Sequence, residues 1–174
     1  NDFARAHGIP TKIKAAVAHL FKVKETRDLS IIHATEGETE RYAVNSLGIG
    51  IDGLVNYVIV EQRKKKGAGS FGYLSSLVSE FKKQDKFSMV LKVDEGTFTF
   101  ERAQIALIAN NPYFGGGLKI VPGANGKDDM LEVLVGEDVN FKDLLNILVR
   151  ILTNKSHLKH PKLHTYKTRQ LALF

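Results

Sequence analysis

The chain lacks cysteine and tryptophan, and its 174 residues include only two methionines and four prolines. The absence of cysteine excludes disulfide scaffolds, thiolate metal sites and thiol nucleophiles, and it suits a reducing compartment. No apolar run approaches the roughly 18–20 residues that a membrane-spanning helix requires. The sequence also contains no G-x-x-x-x-G-K-S/T phosphate loop and no G-x-S-x-G nucleophile elbow. It therefore gives no support for a P-loop NTPase or a serine hydrolase.

Basic residues outnumber acidic ones by 25 to 19, which gives a formal net charge of +6. Much of the excess lies in two clusters, the run at residues 63–66 and a C-terminal cluster. The C-terminal cluster consists of Lys155, Lys159, Lys162, Lys167 and Arg169. Such clusters attract nucleic acid or an anionic membrane surface, or they only keep a surface solvated. Aromatic residues are not interleaved with them as a stacking platform requires, so no nucleic-acid partner is expected.

Helical periodicity predicts three helices, near residues 11–22, 70–83 and 140–153. In each window the apolar residues recur at i, i+3, i+4 spacing, which places them on one face. Thr11 can cap the first helix. Asn140 can cap the third, with Asp143 one turn in, which is the pattern of a capping box.

Strand patterns dominate the middle of the chain. Alternation from Phe87 to Val93, a turn at 94–96 and renewed alternation at Phe98 and Phe100 predict a hairpin. A second hairpin is expected around the turn at 36–38, and the nearly all-apolar run 104–109 predicts a strand covered on both faces. Further strands are expected at 118–121, 130–135 and 163–174. Because tight turns rather than helical crossovers join these strands, we predict a mainly β fold, an antiparallel β-sandwich with about three packed helices.

Three local patterns have both a structural and a functional interpretation. Gly48, Gly50 and Gly53 spell G-x-G-x-x-G, but no βαβ unit surrounds them, so we interpret them as a bend where backbones approach closely. The glycines at 115–117 either cradle a phosphate or form a turn. The turn at 125–129 lacks the acids of an EF-hand, yet a tight turn with one carboxylate and inward carbonyls can hold Mg²⁺ or Ca²⁺.

Several stretches resemble, in order, the bacterial diacylglycerol kinase family of lipid kinases. The first is NDFAR at residues 1–5, which is similar to the end of that family's Gly-Thr-x-Asn-Asp-Phe-Ala-Arg signature. The others are RDL at 27–29, RYAVNSLGIGID at 41–52, GSFGY at 69–73, NPYFGGG at 111–117, PGA at 122–124, the run 128–133 and HPK at 160–162. Their shared order across nearly the whole chain makes the resemblance specific.

The resemblance implies a part of a two-domain enzyme that phosphorylates a lipid hydroxyl with ATP and Mg²⁺. Residues 1–24 would be a lead-in helix from the nucleotide-binding domain, and residues 25–174 a β-sandwich lipid-binding domain truncated at both ends. The phosphate loop would lie upstream and the general base downstream, so the chain alone is expected to be inactive. The acceptor would be diacylglycerol, at the inner face of the cytoplasmic membrane, and a homodimer is left open.

The resemblance also implies roles for individual residues. Asp2 and Asp28 would help organise a Mg²⁺–water network near the ATP phosphates, with Asn1 beside the nucleotide. Their structural alternatives are a helix cap and a strand-end acid. A structural Mg²⁺ site would take the carboxylate of Asp128 and the backbone carbonyls of Asn125 and Met130. Asp129 stands where the family has glycine, and Ser76 where some members have a functional lysine, so another lipid acceptor stays open.

Two rival functions remain at this point. The first is a non-enzymatic β-rich module that binds an anionic membrane or nucleic acid through the basic clusters. The second is a divergent member of the same superfamily that acts on a soluble substrate or regulates a partner.

Overall fold

A computed structural model describes residues 2–22, 26, 28–51, 81 and 85–174. Within this part the chain is mainly β, and every paired strand is antiparallel to its neighbour. The helices are α1 (Asp2–Ala6), α2 (Ile13–Leu20) and α3 (Phe141–Leu152). The strands are β1 (Ile32–Glu36), β2 (Thr39–Ala43), β3 (Ser46–Gly50), β4 (Phe87–Val93), β5 (Gly96–Ala109), β6 (Tyr113–Phe114), β7 (Leu118–Lys119), β8 (Leu131–Glu137), β9 (Leu163–Thr168) and β10 (Leu171–Leu173). The predicted fold class is confirmed.

The strand β5 organises the main sheet. This 14-residue strand pairs on one edge with β4 along its first half and with β3 along its second half. Its other edge pairs with β8, and the order across the sheet is β10-β4-β5-β8-β9. The hairpins β1–β2 and β6–β7 form two separate two-stranded ladders. The long strand therefore connects every strand of the main sheet directly or through one neighbour.

The main sheet curls, so that the corner after β9 meets the turn after β4. The backbone N–H of Asp94 donates to Oγ1 of Thr168 at 3.1 Å, and a carboxylate oxygen of Asp94 accepts the N–H of Arg169 at 2.8 Å. The concave side encloses a core of Met89, Leu91, Val93, Phe100, Ala103, Ala106, Val133 and Val135. This contact closes one face of the sheet on itself.

Helix α3 covers the opposite face. Its buried residues Leu144, Ile147, Leu148 and Ile151 recur at helical spacing and pack with Ile51 and Val139. The helix starts with a complete capping box, in which the Asn140 side chain accepts the N–H groups of Lys142 and Asp143 and the Asp143 carboxylate accepts the N–H of Asn140. Local sequence therefore fixes where the helix starts, and its apolar face fixes how it docks.

Three predictions of element boundaries need correction. The expected strand at 163–174 is two strands, β9 and β10, because the contact with Asp94 turns the chain at residues 169–170. The second strand of the hairpin around residues 36–38, expected over residues 41–47, is β2, which ends at Ala43. Asn45 then donates to the carbonyl of Tyr113, and the chain moves on to the main sheet as β3. Thr11 does not cap α2, whose N-cap is Lys12 without a side-chain cap. Except for Phe81, the predicted helix at 70–83 lies outside the described residues, as do Gly53, Ser76 and the basic run at 63–66.

The apolar side chains of α2 are largely exposed to solvent. Ile13 is 82% exposed, Leu20 72% and the following Phe21 87%. The helix predicted near residues 11–22 is present at Ile13–Leu20. Its assignment to a separate nucleotide-binding domain stays a prediction.

Replacing the helix cap should destabilise the fold measurably. Asn140→Ala removes the acceptor of two first-turn N–H groups and should lower the free energy of unfolding by about 1 kcal/mol. Asn146→Ala is the matched control, since Asn146 is exposed in the middle of α3 and alanine has the higher helix propensity. Chemical denaturation of both variants measures the difference. Equal destabilisation by the two would contradict the role of the capping box.

Candidate functional site

An apolar pocket lies between α3 and the main sheet. Its empty volume is about 710 Å³, including its open mouth. The buried face of α3 lines one side, and the other walls come from Ile51, Phe81, Ile105, Leu118, Ile120, Leu134, Val139 and Leu163. Protein interiors are close-packed, so an open space with apolar walls beneath a helix is a candidate ligand site.

Two polar side chains belong to the wall of this pocket. Nε2 of His157 donates to the carbonyl oxygen of Ile120 at 2.7 Å, so this ring has a fixed backbone partner. Gln104 is 4% exposed, and its Oε1 has no hydrogen-bond partner. Buried polar atoms in folded proteins are nearly always paired. The unpaired amide oxygen therefore marks a place where a ligand or water group is expected.

A second, smaller and more polar pocket lies where α1 meets two loops. Its empty volume is about 210 Å³. Phe3, His7, Leu29, Ser30, Ile31, Val44, Asn110, Asn111 and Gly126 line it. The loops are held together because the N–H of Ser30 donates to the carbonyl of Gly126 at 3.0 Å, and the Ser30 hydroxyl donates to Asp129. We call this region the polar junction.

The polar junction contains buried polar atoms without partners. They are Nε2 of His7, Oδ1 of Asn110 and, close by on α1, Oδ1 of Asp2. Burial lowers the pKa of His7, and the positive charge of Lys127 lowers it further, against a hydrogen bond with Asn111 that raises it. A neutral imidazole in such a place can donate or accept a hydrogen bond to a bound polar group.

The glycines at 115–117 form the turn between β6 and β7 and lie against α1. All three have positive φ, from 61° to 109°, a region that residues other than glycine rarely enter. The N–H of Gly116 donates to the carboxylate of Asp2 at 3.1 Å. The guanidinium of Arg5 lies beside Gly117, where a Cβ would meet it at 3.0 Å. These contacts support the interpretation of the three glycines as a turn. The backbone N–H of Gly116 is bonded to Asp2 of the same chain.

The two acids predicted to organise a Mg²⁺–water network, Asp2 and Asp28, lie on different segments of the structure. Asp2 lies in α1 beside the glycine turn, whereas Asp28 is exposed on the segment that leads to β1. Asn1 lies outside the described residues. Their roles stay predictions.

The predicted metal ligands do lie together, in the turn at 125–130. One carboxylate oxygen of Asp128 accepts the N–H of Met130 at 3.2 Å, and the carbonyl of Asn125 accepts the N–H groups of Lys127 and Asp128. Asp129 adopts the left-handed conformation at φ 53°, so the turn that glycine would favour forms here with aspartate. These donor types suit a hard cation.

An ammonium group already pairs with the carboxylate of that turn. Lys167 Nζ lies 2.8 Å from the second carboxylate oxygen of Asp128 and 3.8 Å from Glu132. The hydrogen bond to Asp128 raises the pKa of Lys167. Across the described ranges, no group of three or more His, Asp or Glu side chains converges as a metal site. A divalent cation would have to displace Lys167, and the Mg²⁺ site stays a prediction.

Acidic partners neutralise part of the C-terminal basic cluster. Lys162 lies 3.0 Å from Asp143 and 3.7 Å from Asp138, and Lys167 pairs with Asp128 as described above. Lys155 and Lys159 are exposed, two residues on either side of His157 in the pocket wall. Positive charge is therefore available beside the apolar pocket. Where the structure is described, no helix is long and apolar enough to cross a bilayer.

Residues 45–174 match the family model of the YegS C-terminal NAD kinase beta sandwich-like domain. The chain belongs to this family. The YegS C-terminal domain thus spans all of the main sheet, together with α3 and the apolar pocket.

Known proteins similar to this chain are lipid kinases by name. The chain is 25% identical to a diacylglycerol kinase of Staphylococcus saprophyticus over 99% of its length and 54% of that protein. It is 28% identical to a diacylglycerol kinase of Mycobacterium tuberculosis over 87% of its length and 48% of that protein. The chain spans about half the length of these curated relatives. These names support membership of a lipid kinase family.

The fold is shared with a solved structure. A diacylglycerol kinase crystal structure from Bacillus anthracis superposes with a TM-score of 0.66 at 19% identity, covering 99% of this chain and 53% of that one. At this identity the likeness concerns the fold.

Sequence reasoning missed three residues of these sites. Gln104 is the polar first residue of the otherwise apolar run 104–109, which was the available signal. The sequence gave no signal for the surroundings of His7 and Lys167, because their partners lie far away along the chain.

Removing the competing ammonium should reveal whether the turn binds a divalent cation. We expect Mg²⁺ to raise the melting temperature of Lys167→Met more than that of the unmodified chain, since Asp128 is then free to bind. At a Mg²⁺ concentration about 100 times its dissociation constant, binding stabilises the fold by about 2.7 kcal/mol. Lys92→Met, at an exposed position on β4, is the matched control. An unchanged Mg²⁺ response in Lys167→Met, or one that persists in Lys167→Met/Asp128→Asn, would contradict the predicted site.

Proposed function

We propose that this chain forms the lipid-binding domain of an ATP-dependent lipid kinase. The reaction transfers the terminal phosphoryl group of ATP to a lipid hydroxyl, with diacylglycerol as the acceptor and phosphatidic acid as the product. The observation that carries the proposal is the apolar pocket under α3, in a chain whose relatives are named lipid kinases. Mostly apolar walls with a few placed polar groups, as in this pocket, are typical of ligand sites.

In this proposal the pocket holds an acyl chain. Each methylene that leaves water contributes about 0.8 kcal/mol, so even a short stretch of chain binds measurably. The pocket also keeps water away from the bound lipid. The pocket wall also offers the polar end of the lipid one unpaired hydrogen-bond acceptor, Oε1 of Gln104.

The nucleotide and Mg²⁺ belong to the same proposal. When bound, Mg²⁺ neutralises charge on the transferring phosphates. Asp2 and Asp28 would help to organise water around it, and Asn1 would bind the nucleotide. The partner of Asp2, the N–H of Gly116, holds that carboxylate at the edge of the domain where α1 begins.

We further propose that the protein acts peripherally at the inner face of the cytoplasmic membrane. Lys155 and Lys159 would attract anionic headgroups close to the apolar pocket. This position would let a lipid pass from the bilayer to the pocket over a short distance.

Filling the pocket should weaken lipid binding. Ile147 is a buried pocket residue of α3, and Ile147→Phe should exclude about two methylenes of a bound chain, or about 1.6 kcal/mol, which weakens binding by roughly tenfold. Competition by short-chain diacylglycerol against a fluorescent lipid measures the dissociation constant.

The control for this variant is the same substitution at an exposed site. Ile49 is 39% exposed on β3, and Ile49→Phe should leave the dissociation constant unchanged. Melting temperatures of both variants exclude a general loss of structure. Full-strength binding by a folded Ile147→Phe would reject the pocket as the lipid site.

Vesicle binding tests the membrane proposal separately. Replacing Lys155 and Lys159 together by glutamine should weaken binding to anionic vesicles by about 2 kcal/mol, because each contributes about 1 kcal/mol near such a surface. The double variant Lys14→Gln/Lys92→Gln removes the same charge at exposed positions elsewhere and is the control. Co-sedimentation at rising salt should show the wild-type affinity falling. Equal binding to neutral and anionic vesicles would refute the electrostatic mechanism.

A further inference from the structure

Gln104 lies at an irregularity in the central strand. Ala103 pairs with Glu137 and Ile105 with Gly136, so Gln104 has no partner residue on β8. On the opposite edge of β5, the pairing with β4 ends at Ala103 and the pairing with β3 begins at Ile105. A β-bulge of this kind bends the strand and re-aims a side chain.

The bulge places two successive side chains in the same pocket. In a regular strand Gln104 and Ile105 would point to opposite faces, yet both line the apolar pocket under α3. Gly50 of β3 lies beside the bulge and has a positive φ of 78°. A Cβ on Gly50 would lie 2.3 Å from the backbone carbonyl oxygen of Gln104. The neighbouring strand therefore needs glycine at this point for the bulge to fit.

The side-chain amide of Gln104 is buried, and its oxygen accepts no hydrogen bond. The residue is 4% exposed. Its Oε1 has no hydrogen-bond partner, and nearly all its neighbours in the pocket wall are apolar. Leaving such an acceptor unpaired is unfavourable, and methionine would fill nearly the same volume without it. A bound group that donates a hydrogen bond removes this penalty.

We propose that Gln104 is the positioning residue that selects lipids with a free hydrogen-bond donor, by accepting a hydrogen bond from that group in the pocket. The inference rests on the proposed lipid pocket and names the substrate feature that it recognises. Ester oxygens accept but cannot donate, so a fully esterified glyceride cannot satisfy Oε1. A free hydroxyl of a diacylglycerol or an amide N–H of an N-acylated sphingoid base can.

A matched pair of lipids tests the proposal. Dioctanoylglycerol and its acetate ester have the same octanoyl chains, and they differ in whether the third oxygen has a hydrogen to donate. The 174-residue chain should bind the free alcohol about tenfold more tightly than the acetate, because only the alcohol pairs the buried acceptor. Gln104→Met should bind the two equally and should melt at the same or a higher temperature. Gln170→Met, the same change at an exposed position, should keep the preference.

The possible results separate this inference from the proposed function. If the wild-type chain binds neither lipid, the lipid pocket itself is wrong. If the wild-type chain binds both lipids equally, or if Gln104→Met keeps the preference, the lipid pocket stands but Gln104 is not the selecting residue. An ordered water would then be the partner of Oε1. A variant that loses both lipids together with melting temperature would show a purely structural role and would also overturn the inference. An N-octanoyl sphingoid base whose hydroxyls are acetylated identifies the donor: binding that depends on Gln104 assigns it to the amide N–H, and loss of binding assigns it to the hydroxyl.

Discussion

The pairing of β5 along both of its edges is the constraint on which the rest of the structure depends. One strand joins β4 and β3 on one side and β8 on the other, so the closed core and the pocket face share one backbone. The bulge at Gln104 divides that strand. Before it, Phe100 and Ala103 fill the closed core, and beyond it the strand continues to Ala109, which Asn110 of the polar junction follows. At about 3.4 Å per residue, the six residues from the bulge to Asn110 span about 20 Å. The two pockets are therefore rigidly spaced by a strand that hydrogen-bonds on both edges.

The roof of the apolar pocket depends on charges at the start of α3. The N–H of Asn140 and the ammonium of Lys162 lower the pKa of Asp143, and the side chains of Lys86 and Arg102 lower that of Asp138. Carboxylates with lowered pKa stabilise the fold above their unfolded pKa, and they lose that contribution as the pH falls through the lower folded value. His160 lies 3.7 Å from Asp143 and adds to the attraction when it is protonated. These carboxylates therefore favour the folded start of α3 at pH values above their ordinary pKa, and this contribution fades as the pH falls through their lowered values.

Local patterns predicted the parts of this fold that local physics determines. The hairpin around residues 94–96 and the capped helix α3 follow from alternation, turn residues and a capping box, all within a few positions. The ends of β2 and β9 could not be predicted in this way, because Asn45 binds Tyr113 and Asp94 binds Arg169 across the molecule. The sites divide similarly. The turn at 125–130 was predicted as one unit, whereas the pairing of Asp128 with Lys167 required the register of β8 against β9. The pocket depends on α3, on the four strands β5, β7, β8 and β9, and on the loop at 157, which no single stretch of sequence reveals.

In the proposed function, the apolar pocket lowers the stability of the fold in favour of ligand binding. Side chains of α3 and the sheet could have filled the space, since larger residues at Ile120 or Leu134 would reach into it. A void lined by apolar atoms forfeits dispersion contacts, and selection for stability alone tends to remove it. An unpaired amide in the same wall adds a second unfavourable term, and the bulge that places it there requires glycine at position 50. Three unfavourable features at one place have a common explanation if a ligand with an apolar body and one hydrogen-bond donor fills the space. A lipid with a free hydroxyl has that composition, and a bilayer next to the basic residues flanking His157 would supply it.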